Sequence, residues 1–219
     1  MRWSPQLAYA VGLMTTDGSL SKDGRHFDFT SKDKEQIKTL MRCLDLSLLK
    51  IATKSAGPPH YSSAYRVQWG DVMLYDFLLN IGLMPNKTKQ LSSLAIPDSY
   101  FFDFIRGHFD GDGSFYSYFD SRWRKSFMFY LHFISASPAH IRWMRESLER
   151  MLGVKGHITT AKGSAVMQLK FAKRETLLIL EKMYPRSDVV CLKRKRLKIE
   201  EALRIVGESL PTARKKSAK

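Results

Sequence analysis

The sequence predicts an α+β fold built twice over, as two pseudo-twofold-related αββαββα halves, and three observations predict it. An apolar helical run ending in Asp-Gly occurs at residues 4–18 and again at 99–113. A strand leading into a second helix repeats at 27–44 and 131–148, and a period-two strand repeats at 65–69 and 167–171. With 44% hydrophobic and 12% aromatic residues, the 219-residue chain has the apolar material for a packed core.

The elements follow in order. Ser4 is an N-cap with Pro5 at the first helical position, and Asp17-Gly18 closes the run; Ser99 begins the second copy and Asp112-Gly113 closes it. Thirteen residues separate cap from acid in both copies, a rod of roughly 20 Å. Downstream, Phe29 falls on Phe133, Ser31 on Ser135, Asp33 on Ser137 and Ile37 on Ile141. Asp33 and Ser137 are both good N-caps, and Pro138 follows the second. YRVQW and MQLKF each lead into a further helix, around 71–83 and 174–183. Turn signals lie at 22–24, 56–59, 120–122 and 161–164. The division is a first half over 1–85, a connection over 86–98, a second half over 99–205 and a basic tail over 206–219. The connection is too short for freely moving domains, so the halves are expected to pack intimately.

Charge narrows the function. Lys and Arg number 36 against 21 Asp and Glu, a formal +15. Such an excess suits a polyanion, because each cation that neutralises a phosphate releases a condensed counterion. No apolar run approaches the roughly 20 residues of a spanning helix. Cys43 and Cys191 are isolated, with no ligand spacing around them. That disfavours a disulfide framework or a zinc site and fits a reducing, intracellular setting.

Asp17 and Asp112 are the residues that folding does not ask for. Each sits where the helix macrodipole is already negative. Gly12-x-x-x-Thr16 and Gly107-x-x-x-Gly111 form small-residue stripes that let two helices approach closely and bring the acids together. Converging carboxylates repel, and a hard divalent cation with oxygen preference removes the conflict. Asp110 has no acidic partner in the first copy, where Thr15 stands, and reads as a polar helix residue near the site.

AVGLMTTDG at 10–18 and IRGHFDGDG at 105–113 resemble the signature of the LAGLIDADG homing endonucleases in their single-chain, two-motif form. The resemblance extends over roughly residues 4–200. It implies motif helices at the interface, a saddle of eight antiparallel strands over duplex DNA, and metal-dependent cleavage of both strands by a monomer with a long, asymmetric target. Mg²⁺, or another divalent ion such as Mn²⁺, would be bound by Asp17 and Asp112 with the carbonyls of Thr16 and Gly111. Auxiliary basic residues are implied at Lys32, whose counterpart is Ala136, at Lys87, and at Lys195 or else Lys193 in LKRKR. An RNA-splicing maturase and a non-cleaving DNA-binding regulator are the alternatives on the same scaffold.

Strand alternation assigns the DNA contacts. Phe27, Phe29, Val67, Trp69, Leu169 and Phe171 point to the helices, leaving His26, Asp28, Thr30, Arg66, Gln68, His132, Gln168 and Lys170 on the other face. Arg122, Arg124 and Lys125 belong to the long hairpin of the second copy, beside Tyr116, Tyr118 and Trp123. Polar β-ribbons of this kind can read base edges in a major groove.

Overall fold

The computed structural model describes residues 1–54, 64–123, 125–160 and 165–211. The turn signals at 56–59 and 161–164, Arg124 and residues 212–219 of the basic tail lie outside the described residues. In the first half, α1 (Pro5–Thr16), β1 (Gly18–Leu20), β2 (His26–Ser31), α2 (Lys34–Cys43), β3 (Ala52–Lys54), β4 (Ala64–Gly70) and α3 (Val72–Asn80) follow one another. The second half repeats the order with α4 (Phe101–Asp112), β5 (Ser114–Phe119), β6 (Phe127–Ser135), α5 (Pro138–Leu152), β7 (His157–Thr160), β8 (Met167–Phe171) and α6 (Lys173–Met183). Each half carries an antiparallel four-stranded sheet, in the orders β1-β2-β4-β3 and β5-β6-β8-β7. A seventh helix, α7 (Lys193–Ile205), adds to the expected pattern, and the basic run LKRKR opens it.

Local chemistry starts most helices where the residues say. Ser4 Oγ accepts the Leu7 amide at 3.1 Å, Asp33 caps α2, Asp71 caps α3, and Ser137 caps α5 ahead of Pro138. Ser99 does not begin α4. It lies in a 3₁₀ turn, Asp98–Tyr100, and Tyr100 takes the cap position without a side-chain hydrogen bond. Nor do Gly18 and Gly113 stop their helices by turning left-handed, since neither has a positive φ. They are needed for space: a Cβ on Gly18 would strike Met14, and one on Gly113 would strike Phe109.

α1 is buried from Leu7 to Thr15, as a helix apolar all round should be. Its neighbour is α4. A Cβ on Gly12 would collide with the Phe104 carbonyl and the His108 amide, and one on Gly107 with the Tyr9 carbonyl. The two backbones therefore touch at the glycines, and Gly111 meets the Thr16 side chain one turn further on. Sheet residues Phe27, Phe29, Val67, Trp69, Phe129, Leu131, Phe133, Leu169 and Phe171 complete the core on the inner faces.

Candidate active site and nucleic-acid interface

The contact of α1 with α4 places the two helix ends, and so Asp17 and Asp112, in one partly buried site. Burial raises the Asp17 carboxyl to about 6, and the charge of Asp112 adds to the rise. Burial raises Asp112 as well, opposed by Lys195 and Lys87. Gln36, from the buried face of α2, donates to Asp17 Oδ2 at 2.8 Å and is itself held by the Ser31 hydroxyl at 2.7 Å. Sequence reasoning passed over Gln36. Its signal was a polar residue on the face of α2 that also carries Ile37 and Leu40, which cannot be told from a solvated glutamine without the neighbour.

Two lysines approach from the segments that follow α3 and α6. Lys87 is buried in a 3₁₀ turn, Lys87–Lys89, and donates to the Gly18 carbonyl. Lys195 donates to the carbonyls of Phe109 at 2.5 Å, Gly113 at 2.7 Å and Gly111 at 3.2 Å. Burial brings each ammonium down to about 8, against the pull of Asp112 and Asp17 on Lys87 and of Asp110, Asp17 and Asp112 on Lys195. The choice between Lys193 and Lys195 thus falls on Lys195. Lys193 is exposed and lines a different cavity with Arg42, Cys43 and Cys191.

Lys32 is exposed, beside Asp17, Ser31 and Gly111 in one cleft. Arg194 shares that cleft and bonds the α2 cap through Asp33 Oδ2 at 2.7 Å. It ties α7 of one half to the other, a role hidden inside the basic run. The Thr16 hydroxyl is turned back onto the Leu13 carbonyl at 2.8 Å.

Asp110 explains how Lys195 is held. Fully buried, it accepts the Tyr9 hydroxyl at 2.8 Å and the Leu192 amide at 2.7 Å, which fixes the chain entering α7. Arg106 does the same for the preceding segment, donating to the carbonyls of Met183 at 2.5 Å and Val190 at 2.7 Å and to Asp103 at 2.5 Å.

The halves differ at the position of Gln36. His140 occupies the place that the repeat assigns to Gln36, and its Nδ1 lies 2.8 Å from the Ser92 carbonyl. Its ring stacks on His108 with centroids 5.4 Å apart. Burial keeps both imidazoles neutral at pH 7, His140 with a pKa near 4. Cys43 and Cys191 are free.

On the outer sheet faces the assigned contacts stand where alternation put them, but several are engaged with one another. Arg66 Nε donates to Asp28 Oδ2 at 2.5 Å, Thr30 donates to Asp28 Oδ1 at 3.0 Å, and His26 pairs with Asp23 at 2.5 Å. Gln68, Arg122 and Lys125 are exposed, and Gln168 and Lys170 are half-buried. His132 departs from expectation. It faces outward opposite Lys170 yet is buried, covered by the Tyr116 and Tyr130 rings at 5.0 and 6.4 Å.

Solved structures share this architecture. The homing endonuclease I-WcaI, bound to its DNA recognition sequence, matches with a TM-score of 0.64 at 14% identity, over 90% of this chain and 88% of its own. The chain has the LAGLIDADG fold. I-DmoI, solved in complex with DNA and Mn, matches at 0.53 and 18% identity over 82% of this chain and 96% of its own. Full-length DUF199/WhiA from Thermatoga maritima matches at 0.60 and 16% identity over 94% of this chain. The match spans 62% of that longer protein. No family model and no curated protein matches the chain.

The donor set suits a hard cation. Two carboxylates that share a half-buried site and repel there are what Mg²⁺ or Mn²⁺ accommodates, with waters and phosphate oxygens filling the remaining positions. Among the described residues there is no cluster of three or more His, Cys, Asp or Glu that would hold zinc or another metal by protein ligands alone. Among them, too, no helix is long and apolar enough to cross a membrane.

Proposed function

We propose that the chain is a site-specific double-stranded DNA endonuclease that hydrolyses one phosphodiester in each strand. The observation that carries the reading is the meeting of Asp17 and Asp112 at the ends of touching helices, where Asp112 helps push Asp17 up to about 6. A folded protein has no use for that repulsion, whereas a cation beside a phosphate relieves it. The two acids, with the carbonyls of Thr16 and Gly111, would hold Mg²⁺, or Mn²⁺ in its place. When bound, the metal supplies a Lewis acid and a water acidified toward hydroxide.

The remaining work belongs to the chain. Lys87 and Lys195 put two positive charges beside the acids in a partly dry setting, where they stabilise negative charge building on a scissile phosphate. Lys32 and Arg194 line the open side of the cleft and hold flanking phosphate. Gln36 fixes the Asp17 carboxylate so that one oxygen stays free. The net charge supports a nucleic-acid polyanion, and the DNA-bound I-WcaI and I-DmoI support duplex DNA as that polyanion.

Incubation of the purified protein with a randomised duplex library tests the reading. Double-strand cuts at a selected site in Mg²⁺, with binding alone in Ca²⁺, are expected. Asp112→Asn is expected to lose cutting and keep binding. A protein that selects a duplex site yet never cuts in Mg²⁺ or Mn²⁺ is instead a binding regulator, and the nuclease proposal fails.

A further inference from the structure

The two outer sheet faces are chemically unlike. On the first, Asp28, Arg66, Thr30 and Gln68 present charge and amide. On the second, Tyr116 stands opposite Tyr130 in the β5–β6 register, and Tyr118 follows two residues along the same face. The three rings are nearly parallel: Tyr116 to Tyr130 is 5.2 Å at 13°, Tyr116 to Tyr118 is 6.0 Å at 7°, and Tyr118 to Tyr130 is 6.3 Å at 6°. Tyr116 and Tyr118 are 39% and 42% exposed, and at the hairpin end Phe119 and Trp123 are 55% and 72% exposed. β5 is twice as long as its counterpart β1, and among the described residues the aligned tyrosines occur on the second sheet only.

Covering His132 accounts for one side of Tyr116 and Tyr130 but not for the exposed remainder of the cluster. The inner face already carries Phe115, Phe127, Phe129, Leu131 and Phe133, and a contiguous exposed aromatic surface marks an interaction site. Lys170, paired with His132, supplies a cation on the same face, and Arg122 and Lys125 are exposed in the hairpin that joins β5 to β6. Aligned aromatic rings flanked by cations are the chemistry by which sheets hold unpaired bases, because every base has a π-face and every nucleotide a phosphate.

We propose that the outer face of β5, β6 and β8 is a stacking platform for unpaired bases of a single-stranded nucleic acid, a binding activity that needs neither the metal nor cleavage. Tyr116 and Tyr130 are its centre, with Tyr118 extending it toward the hairpin tip. It goes beyond the nuclease reading by giving a second ligand to the face that strand alternation assigns to duplex contacts through His132, Gln168 and Lys170, and its test uses neither duplex nor metal.

The test measures binding of the full chain to labelled dodecamers in EDTA, by fluorescence anisotropy, using thymidine DNA, uridine RNA and an abasic strand of equal charge. The base-bearing strands are expected to bind at least about 10-fold more tightly than the abasic one, with about 5-fold or more lost per stacked base removed. Tyr116→Leu/Tyr130→Leu is expected to erase that preference while leaving abasic binding in place, its fold checked by thermal melting. Tyr130→Phe is expected to retain it. The DNA and RNA arms tell which sugar the platform prefers. Equal affinity for abasic and base-bearing strands, an unchanged preference in the double variant, or a dimer in solution that dissolves in that variant would each overturn the proposal.

Discussion

Protonation at single side chains gives the proposed chemistry its pH signature. Asp17 is raised to about 6 in the folded chain, so its ionised form is disfavoured by folding. The cost is absent below the ordinary value of 3.8 and complete above about 6. Asp17→Asn is therefore expected to stabilise the metal-free protein at pH 7.5, by on the order of 1 kcal/mol, and not at pH 3.5. Urea midpoints at the two pH values check this, and an equal gain at both would refute it. Cleavage is expected to fall on the acid side as Asp17 takes a proton and on the alkaline side as Lys87 and Lys195 lose theirs near 8. Raising Mg²⁺ should move the acid limb to lower pH, because cation and proton compete for one carboxylate. Gln36→Leu should lower the rate more than it weakens DNA binding, since the amide touches Asp17 and no outer face. The acids were legible in the residues through their duplication. Gln36, Arg194 and the brace at Asp110 were not, because each takes its meaning from a partner 19 to 161 positions away.

Between elements, the decisive contact is α1 against α4. The glycines meet backbone atoms, which cannot swing aside as a side chain can. Gly107→Ala is expected to cost about 3 kcal/mol or more through forced separation of the helices, and to impair cutting beyond the loss of folded protein by moving the acids apart. Gly111→Ala meets the Thr16 side chain instead, so a double variant with Thr16→Gly should recover most of its loss. Denaturant melts of the single and double variants measure both effects. The small-residue stripe was readable at the spacing of one turn, and so was the capping of α1, α2 and α5. The start of α4 was misread because a serine before an apolar run is a cap only when its side chain reaches an amide, and Ser99 sits in a 3₁₀ turn.

For the molecule entire, the positive charge governs affinity. Duplex binding is expected to fall steeply and log-linearly with salt, and Lys32→Ala should reduce the slope by about 1 while leaving the preferred sequence unchanged. A titration from low to moderate salt with both proteins decides it. The repeat that made the fold legible also hides its asymmetries. His140, stacked on His108, stands at the repeat position of Gln36, and a tyrosine face replaces a charged one on one sheet.

By itself the sequence determined the doubled element order, the inward and outward strand residues and the pair of acids, because each is written in local periodicity or in recurrence at a fixed offset. Only the tertiary structure decided that Lys195 and not Lys193 faces the acids, that Gln36 holds Asp17, that His132 is covered, and that three tyrosines line up on one face. Those outcomes depend on which distant segments share a few ångströms of space, and burial, repulsion and ring stacking come into being only when the chain has closed upon itself.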